Sequence, residues 1–165
     1  MAINTAVGGT GTIINTVYQY RLNSGATYNS GNVLNANWEA ADTWGTSIGT
    51  NFTESGGVWT FPCTGKWHIQ FQMSGYKNGN SQYYGIQIRL SNDSGSNYSV
   101  AGSCYNWGAS GSNNHVTTFQ DIFVSIPNTS TYKMKFICDF ISSFTLFGST
   151  TQHLTGFTAT RIGDA

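Results

Sequence analysis

Charged side chains are scarce in this sequence, at only 8% of residues, and the 7 basic and 7 acidic groups cancel to a net charge of +0. A nucleic-acid-binding surface needs clustered Lys and Arg to displace counterions from phosphate, so no nucleic-acid partner is expected. Proline is scarcer still, with 2 residues. No apolar run approaches the length that crosses a bilayer as a helix, so no membrane insertion is expected either. No long segment carries the apolar spacing of an amphipathic helix. Cysteine is limited to Cys63, Cys104 and Cys138, an odd number that argues against a complete disulfide framework and a spacing that fits no zinc pattern. The three thiols read as small buried apolar groups. The N-terminus, Met1-Ala2-Ile3-Asn4, has no basic segment ahead of an apolar one, so no secretory signal is expected.

In place of charge the chain has aromatic residues, 15% of the total, together with 20 glycines. With frequent Val, Ile and Thr, this composition predicts an all-β protein with many turns. Its 165 residues suit one domain with a substantial core. Solubility must come from Ser, Thr, Asn and Gln, a neutral hydration shell common on extracellular and virion proteins.

The most legible stretch runs from Gly57 to Met73. Pro62 lacks an N–H and marks the end of one strand. Thr64-Gly65 supplies a turn, where glycine is free to take positive φ. Beyond it, Trp67, Ile69, Phe71 and Met73 alternate with His68, Gln70, Gln72 and Ser74, the period of a strand with one apolar face. Residues 1–11, ending Gly8-Gly9-Thr10-Gly11, read as a flexible leader, and residues 12–165 as the folded domain. A strand is expected over 13–22 and a loop over 23–37. Residues 38–44 allow either a helical turn or an irregular strand. A loop is expected over 75–82, strands over 84–90 and 98–104, and a loop over 105–114. Further strands are expected over 115–126, 132–138 and 154–162, the spacing of a sandwich or jelly roll.

Two of these strands differ from the rest. Those near 84–90 and 132–138 keep a polar face. Those near 13–22 and 116–126 carry large apolar groups on both parities, which is how a strand covered on both faces reads. Either the chain's own loops or a second copy of the chain must cover the extra face, and the second copy is the favoured cover. Ile14, Tyr18, Tyr20, Phe119 and Phe123 are the candidate interface residues on this reading.

Catalytic chemistry finds little support. Glu39 and Asp42 have no partner at glycosidase spacing, and no nucleophile-elbow pattern is present. His68, His115 and His153 fall on separate segments. Asp93, in Asn92-Asp93-Ser94-Gly95, sits where either a calcium ion or an Asx-type turn fits, and the turn is the simpler explanation. No metal, cofactor or catalytic residue is expected. The aromatic residues beside polar loops, Tyr76, Tyr83, Tyr105 and Trp107, are candidate ligand contacts. A flat apolar ring with hydrogen-bonding neighbours suits a sugar, so a host glycan is the candidate ligand; the alternative is that each ring packs under its own loop.

The pattern Gly57-x-Trp59-x-Phe61-Pro62-x-x-Gly65-x-Trp67-x-Ile69-x-Phe71 resembles the signature of the complement globular-head domain, within the tumour-necrosis-factor-like jelly rolls. The closing Leu154-Thr155-Gly156-Phe157-Thr158-Ala159-Thr160-Arg161 resembles the last strand of that family. Trp67 stands where tyrosine is usual, and Thr158 and Thr160 stand where that strand is usually hydrophobic. The resemblance covers residues 12–163 and implies a sandwich of ten strands in two five-stranded sheets, assembled as a homotrimer. The Gly8-Gly9-Thr10-Gly11-Thr12-Ile13-Ile14 opening and the terminal Thr-Ala-Thr-Arg-Ile-Gly-Asp are similar to the C-terminal domains of tailed-phage fibres and virion decoration proteins. These readings converge on a non-enzymatic virion protein, at a fibre tip or on the capsid, in contact with other virion proteins and a host glycan. The alternative is a secreted or cell-surface binding module of the complement or cytokine kind.

Overall fold

In the computed structural model, residues 16–45, 47–77, 83–107, 115–140 and 143–165 are described. The expected leader, 1–11, and the candidate interface residue Ile14 lie outside them. Among the described residues the chain forms strands and no helix. In chain order they are β1 (Val17–Leu22), β2 (Ala26–Tyr28), β3 (Trp38–Ala40), β4 (Thr53–Ser55), β5 (Val58–Thr60), β6 (Gly65–Lys77), β7 (Tyr83–Ser91), β8 (Ser99–Trp107), β9 (His115–Ile126), β10 (Lys133–Phe140), β11 (Phe144–Leu146) and β12 (Gly156–Gly163).

They build two antiparallel sheets. One runs β4-β5-β10-β7-β8. The other contains β1, β2, β3, β6, β9, β11 and β12, with β6 at its centre. β6 pairs along its whole length with β9 on one side. On the other side it pairs with β12 over residues 66–72 and with β11 over 75–77. The sequence led to ten strands. The short pair β2, in a segment where a loop is expected, and β11 makes up the difference and extends one end of the second sheet.

The Pro62 turn does more than reverse the chain. It carries it from β5 in one sheet to β6 in the other, so this is a corner between layers rather than a hairpin. At its end Gly65 takes φ +150, and a Cβ there would lie 2.5 Å from Arg161 Nε and 2.7 Å from the Gly163 carbonyl. Only glycine lets β6 start this close to β12. The alternation read in β6 holds: Trp67, Ile69, Phe71 and Met73 are fully buried.

Between the sheets lies an aromatic core. Phe71 of β6 stacks on Phe136 of β10 at 4.5 Å, joining the layers directly. Trp59 meets Tyr20 and Phe157 edge-on, each at 4.7 Å. Burying a ring of this size contributes roughly 1.5–3 kcal/mol, so this cluster is the main term holding the layers together.

One open choice is settled here and three sequence expectations change. Residues 38–40 are strand β3, held to β1 through Arg21 and Leu22. β6 runs on to Lys77, because Gly75 and Tyr76 pair with both β9 and β11. β8 runs through Tyr105 to Trp107, which were read as loop, because β7 continues beside it. Most importantly, Tyr18 and Tyr20 are not on an outer face. They share a parity with Leu22 and all three point into the subunit's own core, Tyr18 and Leu22 with no exposure at all. On the opposite face of β1 Val17 and Gln19 are half-buried, and one end is closed by an ion cluster. Arg21 is buried there, bonded to Glu39 at 2.7 Å, to Asp42 at 2.6 Å and to the Thr150 carbonyl. The two-sided pattern of β1 thus has at least one internal source, the buried Arg21.

Candidate functional site

Two surfaces stand out, one on the outer face of each sheet. The first is built by register. β8, β7 and β10 are neighbours, and Tyr105 lies opposite Gly85, which lies opposite Asp139. Tyr83 pairs with Trp107 two positions along, on the same face. Because Gly85 has no side chain, the Tyr105 ring lies flat across β7: a Cβ at Gly85 would come within 2.4 Å of its Cδ1. Lying flat, the ring reaches the next strand, where Tyr105 Oη donates to Asp139 Oδ2 at 2.8 Å.

The same oxygen accepts a second bond, from Gln87 Nε2 at 2.7 Å. Gln87 is itself fixed by Arg89, whose Nε donates to Gln87 Oε1 at 2.8 Å. Tyr83 stands edge-on to Tyr105, at 5.7 Å between centroids and 79° between planes. Trp107 is 75% exposed and closes the group. Tyr83, Tyr105, Trp107 and Asp139 line a cavity of about 340 Å³.

Three of the four ligand-contact candidates therefore come together. The fourth, Tyr76, does not. It lies on the outer face of the other sheet, stacked with His115 at 6.2 Å and beside Phe147 at 5.7 Å. Sequence reading missed Gly85, Gln87 and Asp139. Each looks ordinary alone, and only the pairing of three strands puts them under the rings.

The second surface is the outer face of β9. Phe119 and Phe123 alternate with the inward Val116, Ile122 and Ile126 and stand 52% and 70% exposed. Beside them His68 of β6 lies parallel to Phe123 at 4.4 Å and 7°, and its Nε2 is 3.1 Å from Asp121 Oδ2. Phe123 also borders an apolar hollow of about 200 Å³ with Lys66, Trp67, Val124, Ser125 and Ile162.

The remaining candidates resolve into structural roles. Asp93 is saturated by its own turn: Oδ1 accepts from Ser91 Oγ at 2.6 Å and from the Asn97 amide at 2.9 Å, and Oδ2 accepts from Asn97 Nδ2 at 2.7 Å. The Ser91 hydroxyl first, then the Asn97 donors, hold its pKa down at about 2. Glu39 and Asp42 are engaged by Arg21. Cys63, Cys104 and Cys138 are free thiols, and burial pushes the Cys138 thiol well up. Among the described residues no group of three or more His, Cys, Asp or Glu could hold a metal ion.

No protein-family model and no curated protein matches the sequence. Solved structures do match the fold. Eiger TNF from S. frugiperda superposes with a TM-score of 0.68 at 11% identity, over 90% of this chain and 93% of that one. Murine APRIL at pH 5.0 superposes with a TM-score of 0.62 at 9% identity, over 88% of this chain and 98% of that one. At such identities the likeness is one of architecture, and it extends across nearly the whole chain: this protein has the two-sheet jelly roll of the TNF-like fold.

Proposed function

We propose that the chain is a non-catalytic, homotrimeric jelly-roll domain of a virion, at a fibre tip or on the capsid, that stabilises the particle and touches the host surface. The observation that carries the assembly is the aromatic pair Phe119 and Phe123, 52% and 70% exposed on the outer face of β9, a strand paired only with β6 at one edge of its sheet. Large apolar groups grouped on one sheet face are costly to leave in water, and burying them between copies removes that cost.

Two further exposed apolar side chains support the same reading. Trp44 is 98% exposed and Ile48 47% exposed, on the segment that follows β3 and bridges to β1 at Val17. It flanks the edge of the sheet opposite β9. Contact between two unlike patches on one subunit repeats head to tail, and a repeat that closes makes a ring. The family resemblance in the sequence supplies the number three. The virion setting is supported by the neutral, Asn/Ser/Thr-rich composition and by the fibre-like opening and closing segments. The Tyr83–Tyr105–Trp107 pocket is where such a domain would meet a host surface.

Two experiments test this. Phe119→Ser with Phe123→Ser should convert the assembly to monomer in sedimentation while the far-ultraviolet spectrum stays that of a β protein; an unchanged assembly contradicts the interface. Mass spectrometry of purified particles should find peptides of this chain. Their absence, together with binding to a cell-surface receptor, would establish the second reading, a secreted or cell-surface binding module, which the TNF and APRIL fold likeness favours.

A further inference from the structure

We infer that the cavity between Tyr83, Tyr105, Trp107 and Asp139 binds an alkylated ammonium group, a quaternary or multiply methylated nitrogen such as choline carries. A sugar ring prefers a flat, open aromatic platform. Here two rings are set at an angle instead, Tyr83 and Tyr105 at 79° to each other, with Trp107 lining the same open hollow. Rings set at angles surround a roughly spherical cation and direct their negative π faces at it, which a planar sugar face cannot exploit as well.

The carboxylate decides the sign of the ligand. Asp139 takes both of its hydrogen bonds on Oδ2, from the neutral donors Tyr105 and Gln87. Among the described residues no hydrogen bond reaches Oδ1, and no Lys, Arg or His pairs with this acid. Arg89, the nearest basic group in the network, is bonded to Gln87 rather than to Asp139. A negative charge without a counter-ion on the wall of an aromatic pocket attracts a cation and repels carboxylated or sulfated sugars.

The pocket is also prepared in advance. Gly85 lets the Tyr105 ring lie down, and the bond to Asp139 pins its far end, so little ordering remains when a ligand enters. A cavity of about 340 Å³ accommodates a trimethylammonium head and part of its tail. The site lies within one subunit and depends on neither the trimer nor the virion setting.

Titration calorimetry of the full chain with choline chloride tests the inference directly. Saturable binding is expected. Its neutral isostere, 3,3-dimethylbutan-1-ol, should bind about tenfold more weakly, as should choline to Asp139→Asn and to Trp107→Ala, because each change removes charge attraction or a ring face. Trp107 is largely exposed, so its loss leaves the core intact. Phosphocholine and a peptide bearing trimethyl-lysine form two further arms, and the tighter one identifies the source of the group. Failure of all three cations to bind overturns the inference. So does equal binding of the neutral isostere, or saturable binding of methyl glucoside or galactoside in their place. Loss of the trimer with choline binding retained would separate this site from the assembly.

Discussion

Arg21 is the residue whose role the sequence conceals most thoroughly. It stands between Tyr20 and Leu22 in a strand that reads as apolar, and it is 1% exposed. Its guanidinium gathers Glu39, Asp42 and the Thr150 carbonyl, tying β1 to the segments on either side. Removing one partner of a fully buried pair costs about 3–5 kcal/mol. Here the carboxylates reach water, with Glu39 26% and Asp42 80% exposed, so Arg21→Ala should cost less, about 2 kcal/mol, read as a lower urea midpoint with unchanged slope. Asp93 gives a test in pH. Its folded pKa, about 2, lies below the ordinary carboxylate value of 3.8. A depressed carboxylate stabilises the fold above its unfolded pKa, and that contribution fades as pH falls through the folded one. Asp93→Ala should therefore unfold at lower urea than the parent at pH 7, and the gap should close between about pH 4 and pH 2. A gap undiminished at pH 2 would mean that the contribution of Asp93 does not come from its ionised form.

Elements were legible where one face is polar and obscure where it is not. β6 announces itself because a single parity carries Trp67, Ile69, Phe71 and Met73. β9 was read as covered on both faces, and its inward half is indeed core, while Phe119 and Phe123 remain outside. β1 was read the same way, yet its tyrosines face inward and one end of its other face is closed by Arg21. Residue type alone cannot tell an aromatic that points at the core from one that points away; pairing and register do that. The same limit hid the pocket, since Gly85 and Asp139 acquire meaning only when β8, β7 and β10 are side by side. Neighbouring positions on β9 should respond oppositely. Ile122→Ala, in the core, should destabilise by about 2–4 kcal/mol by opening a cavity. Phe123→Ser, one residue on, should leave the monomer's own stability within about 0.5 kcal/mol, as surface changes usually do. Equal losses at both positions would place Phe123 in the subunit's core rather than on its surface.

At the scale of the whole molecule, the jelly roll explains how so little charge suffices. Two layers enclose an aromatic core, and the polar faces are dressed with Gln, Asn, Ser and Thr. On the larger sheet, large apolar side chains stay exposed at β9, with Phe119 and Phe123, and near the opposite edge, with Trp44 and Ile48. Association between copies accounts for both at once. The most direct measurement is the native mass of the unmodified chain at micromolar concentration: one chain is 17.9 kDa, and a single species of three times that mass is predicted. A species that stays at the mass of one chain as concentration rises would contradict the central claim, because Phe119 and Phe123 would then face water with no copy to cover them.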